Sequence, residues 1–197
     1  MFTGIIEAVG QIRQVEQRDK GVRLTIVSER LDFSDVAVGD SIAANGVCLT
    51  VIALAGNAYT VDVSQESLNC TVGLSEPGEV NLEKAMRLSD RLGGHLVSGH
   101  VDGVGEVVKF EPVGESHLLQ IRAPRELARF IAPKGSITVN GVSLTVNEVR
   151  DDAFTINLIP HTLDVTTLKH LKPGARVNLE ADMLARYVDR LLHPEQY

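Results

Sequence analysis

The sequence repeats itself at a distance close to half its length. Residues 44–51, Ala-Asn-Gly-Val-Cys-Leu-Thr-Val, return as residues 139–146, Val-Asn-Gly-Val-Ser-Leu-Thr-Val, an offset of 95 positions (140 − 45). Other blocks keep the same order: Val80–Glu83 with Val177–Glu180 and, more weakly, Gly4–Glu7 with Gly103–Glu106. This period is that of a domain, well above the roughly 20–50 residues of solenoid and propeller repeats. The 197 residues are therefore predicted to form two similar domains with two similar sites.

Composition and charge exclude several classes of function. Aromatic residues make up 4% of the chain, Trp is absent and the formal net charge is −7, so neither base stacking nor phosphate binding is favoured and no nucleic-acid partner is predicted. Cys48 and Cys70 lack metal-ligand spacing and do not make a disulfide framework, which predicts a reducing, cytoplasmic location. No signal peptide and no run of about 18 apolar residues is present, so no membrane association is predicted.

Short alternating segments predict a fold dominated by β-strands. The clearest are Val22–Val27, Tyr59–Val63, His117–Ile121 and Phe154–Ile159, with Gly, Pro, Asn and Asp at the turns between them. Several short strands in about 95 residues indicate a small closed antiparallel barrel in each half. Short helical segments are expected at corresponding places, Ser28–Leu31 and Ala123–Phe130, the second with a Pro near its start.

The end of the chain has a different pattern. After Asp182 as a candidate N-cap, the apolar residues fall on one helical face before Pro194: Leu184, Tyr187, Val188, Leu191 and Leu192. An amphipathic helix outside the repeat must bury this face. Two alternatives are open: the helix packs on its own domain, or it bundles with copies of itself in an oligomer.

The repeated strand presents small polar side chains on one face. With a period of two, Cys48 and Thr50 point away from their apolar neighbours, as do Ser143 and Thr145 in the second copy. Side chains this short allow a flat ligand to lie close, and hydroxyl and thiol groups can bind its edge. The alternative is a polar strand that only faces solvent. The recurrence of the pattern behind Asn-Gly in both halves favours the ligand site.

A second polar set follows each copy. Residues 62–68 correspond to residues 157–163, and both segments carry groups suited to a polyol. The copies are unequal, because Asp62 corresponds to Asn157 and Glu66 to His161. Similar sites with different polar groups predict two related molecules held in two different roles.

The junction between the halves, residues 92–103, contains four glycines and two histidines. It is either a linker whose glycines permit tight turns or part of a site. His95 and His100 do not have zinc-ligand spacing. His100 stands just before the second half, and imidazole titrates near neutral pH, so His100 is a candidate proton-transfer group.

Taken together, these motifs resemble riboflavin synthase of the alpha-chain type. The resemblance is carried by Met1–Glu7, by the repeated segments 45–51 and 140–146, by Gly93–Gly103 and by Ile159–Thr162. It implies two tandem six-stranded Greek-key barrels with short helices, over residues 1–90 and 98–182, and a C-terminal helix over 183–193 that joins three chains into a homotrimer. Each barrel is expected to bind a lumazine.

The resemblance also implies a reaction. Two molecules of 6,7-dimethyl-8-ribityllumazine give riboflavin and 5-amino-6-ribitylaminouracil by four-carbon transfer, with no cofactor and no metal, and with lumazine synthase as a candidate partner. The alternative is a lumazine or flavin carrier of the same fold that has no activity. Such a carrier would be expected to lose the second site's polar side chains, which this chain keeps.

The family's ligand contacts are carried over as two groups. The first-barrel group comprises Gly4, Ile5, Ile6, Cys48, Leu49, Thr50, Asp62, Val63, Ser64, Gln65, Glu66 and Ser67. The second-barrel group comprises Gly99, His100, Val101, Lys134, Ser143, Leu144, Thr145, Ile159, Pro160, His161, Thr162, Leu163 and Asp164. The expected catalytic residues are His100 and Thr145 for proton transfer from the C7 methyl group, and Ser143 or Cys48 for the nucleophile.

Overall fold

A computed structural model describes residues 1–196, and its twelve strands form two closed, antiparallel, six-stranded barrels. The first barrel has the strand order β1-β2-β5-β4-β3-β6, and the second repeats it as β7-β8-β11-β10-β9-β12. Both are Greek-key arrangements. The strands of the first barrel are Ala8–Arg18 (β1), Gly21–Val27 (β2), Ser41–Ala44 (β3), Val47–Ala55 (β4), Ala58–Ser64 (β5) and Gly78–Lys84 (β6). The predicted fold class is confirmed.

The second barrel follows the first at a nearly constant offset. Its strands are Gly103–Val113 (β7), Ser116–Arg122 (β8), Ser136–Val139 (β9), Val142–Arg150 (β10), Ala153–Leu158 (β11) and Arg176–Ala181 (β12). From β1 and β7 to β5 and β11 the offset stays at 95 (103 − 8 and 153 − 58). The predicted strands all lie in β2, β5, β8 and β11, although Ile159 falls just beyond the end of β11.

Each barrel is filled from one face of its strands. On β4, Val47, Leu49 and Val51 are buried, while Cys48 is half-buried and Thr50 is exposed. The predicted alternation is therefore confirmed on β4. On β10, Val142 and Val146 are buried and Thr145 is exposed, but Leu144 is only half-buried, like Ser143. Each fully buried Val, Leu or Ile contributes about 1.5–3 kcal/mol through the hydrophobic effect. Because the inward face is committed to this core, the outward face of β4 and β10 is free to carry polar groups.

The Asn-Gly turns of the two barrels touch one another. Asn45, Gly46, Asn140 and Gly141 all have positive φ, between 47° and 83°, as a two-residue hairpin turn requires. A Cβ on Gly46 would lie 2.8 Å from the Gly141 nitrogen, and one on Gly141 would lie 2.7 Å from the Gly46 nitrogen. Only glycine allows the two turns to approach this closely.

Two buried asparagines join the barrels around these turns. Asn81 Nδ2 donates to the Asn140 carbonyl, and Asn178 Nδ2 donates to the Asn45 carbonyl, each at 3.0 Å. The reciprocal pattern relates the two halves by an approximate twofold axis. The Val-Asn-Leu-Glu block detected as a repeat therefore serves the contact between barrels as well as each barrel.

The short helices only partly follow the prediction. The expected helix at Ser28–Leu31 is absent there; Ser28 Oγ instead accepts hydrogen bonds from the Arg30 and Leu31 amides, which stabilises a bend. Helix α2 is confined to Arg125–Ala128. Two helical turns that the sequence analysis did not identify follow β5 and β11 directly: Gln65–Cys70 (α1) and Pro160–Val165 (α3). A 3₁₀ turn, Thr167–His170, comes next.

Helix α4, Met183–Leu192, begins after Asp182, whose Oδ1 accepts from the Leu184 amide at 3.0 Å. Its polar side is tied to the second barrel by ion pairs of Arg186 with Asp102 and of Asp189 with Arg129. Within residues 1–196 its apolar face is exposed: Leu184, Tyr187, Val188, Leu191 and Leu192. The alternative in which this face packs on its own domain is therefore wrong. A second 3₁₀ turn, Pro194–Gln196, follows.

None of the helices described for residues 1–196 has the length and apolar character needed to cross a membrane.

Candidate functional site

Two chain segments cross between the barrels. We call residues 2–6 the first strap and residues 97–101 the second strap. They run antiparallel to one another, since the Phe2 amide donates to the Val97 carbonyl at 2.7 Å and the Val97 amide donates to the Phe2 carbonyl at 3.0 Å. Each strap precedes the first strand of its own barrel, but its glycine binds a strand of the other barrel.

We call β4 and β10, which carry the outward polar side chains, the polar strands. The strap glycines form backbone hydrogen bonds with them. The Gly4 carbonyl accepts from the Ser143 amide at 2.7 Å, and the Gly99 carbonyl accepts from the Cys48 amide at 2.8 Å. At both glycines φ is positive, +75° and +79°, and an added Cβ would lie within 2.7 Å of the Ser143 or Cys48 Cβ. The sequence therefore needs glycine at both positions for conformation and for space.

The predicted grouping of site residues was wrong in this respect. Gly4, with Ile5 and Ile6, belongs beside the second barrel, where Ile6 packs on the core. Gly99, with His100 and Val101, belongs beside the first barrel, where Val101 packs on the core. The weak match of Gly4–Glu7 with Gly103–Glu106 was wrong too. The true counterpart of Gly4 is Gly99, at the general offset of 95 (99 − 4).

The strand register brings the remaining polar residues onto one face of each barrel. Val51 pairs with Val61, which places Thr50 beside Asp62, and both are exposed. In the same way Val146 pairs with Ile156, which places Thr145 beside Asn157. Helices α1 and α3 then continue from β5 and β11. Glu66 and Ser67, and likewise His161 and Thr162, therefore lie in the first helical turn after the strand ends.

Lys134 lies beside β10, in the loop that precedes β9. Its amide donates to the Val146 carbonyl at 2.8 Å, and its φ is +66°. The corresponding residue of the first barrel is Gly39, whose amide donates to the Val51 carbonyl at 2.9 Å. A lysine in the left-handed region costs of order 1 kcal/mol, which a glycine avoids. A strained residue that is also exposed is a candidate for function rather than for stability.

Sequence reasoning missed His95. The imidazole is buried, and its Nδ1 lies 2.7 Å from Ser143 Oγ. Burial lowers the pKa of His95, so the ring is neutral at pH 7. Nε2 has no hydrogen-bond partner within residues 1–196. No local sequence pattern identifies it, because the close approach of the preceding Gly94, where a Cβ would lie 2.1 Å from the Thr3 carbonyl oxygen, is visible only in the structure.

His100 has a different environment. It is exposed on the second strap, beside the first barrel, and it lines a cavity of about 770 Å³ between that strap, α2 and α4. The structure therefore does not bring His100 together with Ser143 and Thr145 on one polar face.

The fold and its strands match known proteins over almost the whole chain. The lumazine binding domain family matches twice, over residues 3–85 and 98–182. Riboflavin synthase of Photobacterium phosphoreum is 47% identical over 98% of this chain and 89% of its own length, and that of Bacillus subtilis is 43% identical over 98% and 90%. The chain belongs to the riboflavin synthase family. LumP complexed with riboflavin has a similar structure, with a TM-score of 0.81, 28% identity, and coverage of 92% of this chain and 99% of LumP.

Within this riboflavin synthase fold, the two sites differ in charge. In the first barrel, Arg23 Nε and Nη2 donate to the two Asp62 oxygens at 2.7 and 2.9 Å, and this pair holds the pKa of Asp62 below its usual range. In the second barrel the same paired positions hold Leu118 and Asn157. The first site is therefore the charged one on this strand pair.

The site also differs in how its central side chain is held. Cys48 packs against a small apolar cluster of Phe2, Ala43 and Val97. Ser143 instead meets the buried ring of His95. A thiol among apolar groups and a hydroxyl beside an imidazole are chemically unequal, and the second pair has a proton acceptor at hand. Within residues 1–196, no group of three or more His, Cys, Asp or Glu side chains could hold a metal ion.

Proposed function

We propose that the chain converts two molecules of 6,7-dimethyl-8-ribityllumazine into riboflavin and 5-amino-6-ribitylaminouracil, as a transferase. The observation that carries the proposal is the pair of polar faces on β4 and β10, alike in backbone and unequal in side chains. Two identical reactants in different roles need two sites of this kind. Family membership supports it, and LumP, of similar structure, is complexed with the same lumazine.

Because each strap contacts the polar strand of the other barrel, an arrangement we call the exchange of straps, each proposed site combines residues of one barrel with the other barrel's strap. The site on the first barrel comprises Cys48, Leu49, Thr50, Asp62, Val63, Ser64, Gln65, Glu66 and Ser67, with Gly99, His100 and Val101 of the second strap. The site on the second barrel comprises Lys134, Ser143, Leu144, Thr145, Ile159, Pro160, His161, Thr162, Leu163 and Asp164, with Gly4, Ile5 and Ile6 of the first strap. Side chains at the ends of β5 and β11 suit the ribityl hydroxyls.

The chemistry needs a base and a nucleophile. A four-carbon unit, made of C6, C7 and their methyl groups, leaves the donor. Its C6 and C7 form two carbon–carbon bonds with the two methyl carbons of the acceptor, which closes the new ring of riboflavin. The donor's C6–N5 and C7–N8 bonds break, and these nitrogens take up the protons that the acceptor methyl groups release, which gives 5-amino-6-ribitylaminouracil. Atoms and electrons balance between the two lumazines, and the proposal includes no cofactor. Neutral His95 supports proton transfer through Ser143 Oγ, since the two atoms are 2.7 Å apart. Ser143 is thus favoured over Cys48 for a chemical role.

The assay uses the purified full-length chain and the lumazine alone. We expect riboflavin absorbance to rise, with one riboflavin formed for every two lumazines consumed. A chelator should not change the rate. Binding of the lumazine without riboflavin formation would support the carrier function instead, and it would overturn the synthase proposal.

We also propose a homotrimer joined by α4, in a reducing cytoplasm. The exposed apolar face of α4 supports the assembly, because an apolar surface of this kind gains stability when it is covered. Both cysteines are free thiols, which supports the location. Association with lumazine synthase stays a prediction.

The assembly is tested by adding charge to the apolar face. Leu184→Glu together with Leu191→Glu should convert the trimer to smaller species, whereas Arg125→Glu on α2 should leave it intact. Light scattering that reports an unchanged trimer for the double variant would contradict α4 as the joining element.

A further inference from the structure

Two buried glutamates lie at the base of the straps. Glu83 is 4% exposed, near the end of β6. Its Oε1 accepts hydrogen bonds from the Thr3 amide and the Thr3 hydroxyl, both at 2.6 Å, and its Oε2 accepts from the Gly4 amide at 2.9 Å. One carboxylate thus satisfies three donors of the first strap.

Glu180, on β12, repeats this arrangement for the second strap. It is 2% exposed, and its Oε1 accepts from the Ser98 amide and hydroxyl at 2.7 and 2.6 Å. Its Oε2 accepts from the Gly99 amide at 3.0 Å. The two carboxylates are equivalent under the approximate twofold axis, and neither belongs to the residues assigned to the ligand sites.

The strap glycine links each glutamate to the opposite barrel. The Gly4 amide binds Glu83 of the first barrel, and the Gly4 carbonyl accepts from the Ser143 amide of the second. The Gly99 amide binds Glu180 of the second barrel, and the Gly99 carbonyl accepts from the Cys48 amide of the first. One residue therefore separates each carboxylate from the polar strand of the other barrel.

We infer that Glu83 is a positioning residue for the ligand site on the second barrel, and Glu180 for the ligand site on the first. The inference rests on the proposed function, since it assigns a ligand site to each polar face. Each carboxylate fixes the strap glycine, and the glycine fixes both the backbone of the polar strand and the strap residues that line the site. Each glutamate thus positions the ligand site of the barrel to which it does not belong.

A glutamine at these positions has a defined effect. It keeps the shape of the side chain but replaces one acceptor oxygen by an NH₂ donor. The remaining oxygen binds best where two donors converge, at Thr3 or Ser98, so the NH₂ group faces the glycine amide. That amide loses its acceptor while buried, which is the costly way to remove a hydrogen bond. The disturbance falls on the glycine that contacts the other barrel.

The experiment measures riboflavin affinity at one site at a time in the full-length chain. Thr50→Trp fills the polar face of the first barrel and leaves the second site open; Thr145→Trp does the reverse. Riboflavin fluorescence quenching gives the Kd of each one-site chain. Glu83→Gln and Glu180→Gln are then added to both, with Glu79→Gln, an exposed glutamate of β6, as the matched control.

We expect a crossed pattern. Glu83→Gln should raise the Kd about five- to thirtyfold in the Thr50→Trp chain and less than about twofold in the Thr145→Trp chain, the range expected for losing one buried hydrogen bond. Glu180→Gln should give the opposite result, and Glu79→Gln should change neither Kd. A merely structural glutamate would not move one site selectively.

Several results would overturn the inference: equal effects on both sites, an effect confined to the glutamate's own barrel, or no effect in a folded chain. Should a glutamine variant fail to fold, Thr3→Val and Ser98→Ala remove one donor each and must give the same crossed pattern. Conversion of the lumazine to riboflavin by the unmodified chain is measured separately. A chain that fails that assay but gives the crossed pattern would refute the synthase function alone.

Discussion

The two barrels have one frame and different side chains on it. Strand order, strap, glycine turn and glutamate all recur, so the backbone of the two sites is nearly the same. The differences are Cys48 against Ser143 with His95, and Asp62 with Arg23 against Asn157. Lys134 against Gly39 is a third. These differences are concentrated on the polar faces. Under the proposed function, the shared frame would hold the two ligands alike and the unequal side chains would give them different roles.

The largest expected effect comes from the central side chain. Ser143→Ala should lower kcat by roughly 10²–10⁴, the range for losing general acid–base catalysis, because the hydroxyl paired with His95 is removed. Cys48→Ala, the matched change in the other barrel, should lower kcat less than about tenfold. Steady-state riboflavin formation measures both. Equal losses would show that the barrels contribute alike to the chemistry.

The charged pair of the first barrel is expected to act on binding. Asp62→Asn makes this position resemble Asn157 and removes a carboxylate that accepts charge-assisted hydrogen bonds, so riboflavin should bind that site about tenfold more weakly. The titration is made in the Thr145→Trp chain, where only the first site is open. Asn157→Asp in the Thr50→Trp chain is the mirror experiment. If Asp62→Asn leaves the affinity unchanged, the carboxylate serves only to hold Arg23.

Lys134 separates stability from function. Lys134→Gly restores the residue type of Gly39 and should raise the free energy of unfolding by about 1 kcal/mol, since glycine adopts positive φ without strain. The same change should lower kcat/KM if the side chain serves the second site. Asp151→Gly is the control. Asp151 has a φ of 56° in a hairpin turn, and the corresponding residue of the first barrel is Gly56. The Asp151→Gly variant should gain stability without losing activity. A loss of activity in both variants would contradict a functional role for the Lys134 side chain.

The smallest effect is the pH dependence of stability that His95 contributes. Burial lowers its pKa below the ordinary 6.5, so between the two values the folded chain binds fewer protons than the unfolded chain. The stability from neutral His95 is complete above pH 6.5 and is lost as the pH falls through this window. Chemical denaturation of the wild-type chain and of His95→Gln should therefore converge below pH 6.5. Parallel profiles would contradict a buried neutral ring.

The raised pKa values of Glu83 and Glu180 do not disturb that comparison. Burial raises the pKa of both carboxyls despite their hydrogen bonds to the straps. Their folded forms hold protons more readily than the unfolded chain, so their contribution falls as pH rises above about 4.5. Both chains carry these glutamates, and the difference between the two profiles cancels them.

Local patterns were enough to predict the barrels. Alternation and turn residues identified β2, β5, β8 and β11, and the offset of 95 identified which residues correspond. The bend at Ser28 was misjudged because a side-chain hydroxyl, not helix propensity, satisfies its amides. Helices α1 and α3 have six residues each, too few to show a helical period in the sequence.

The site was predicted less completely, because its closure is not local. A repeat tells which residues are equivalent, but not which barrel a strap contacts, and Gly4 and Gly99 were therefore grouped with the wrong partners. His95 was missed for the same reason. Its contact with Ser143 spans 48 positions along the chain and depends on the first strap, whose Thr3 carbonyl accepts from the His95 amide and whose Gly4 carbonyl accepts from the Ser143 amide.

The exchange of straps has a consequence for ancestry. A single barrel with its own strap could not complete its site, because the glycine carbonyl that its polar strand needs comes from the other half. Two separate copies related by a twofold axis would supply it to one another, as in a domain-swapped dimer. Fusion of the two copies would retain every contact, and the two halves would no longer need to have the same sequence. After such a fusion one half can change alone, so a serine can diverge from a cysteine, or an asparagine from an aspartate, within a single chain.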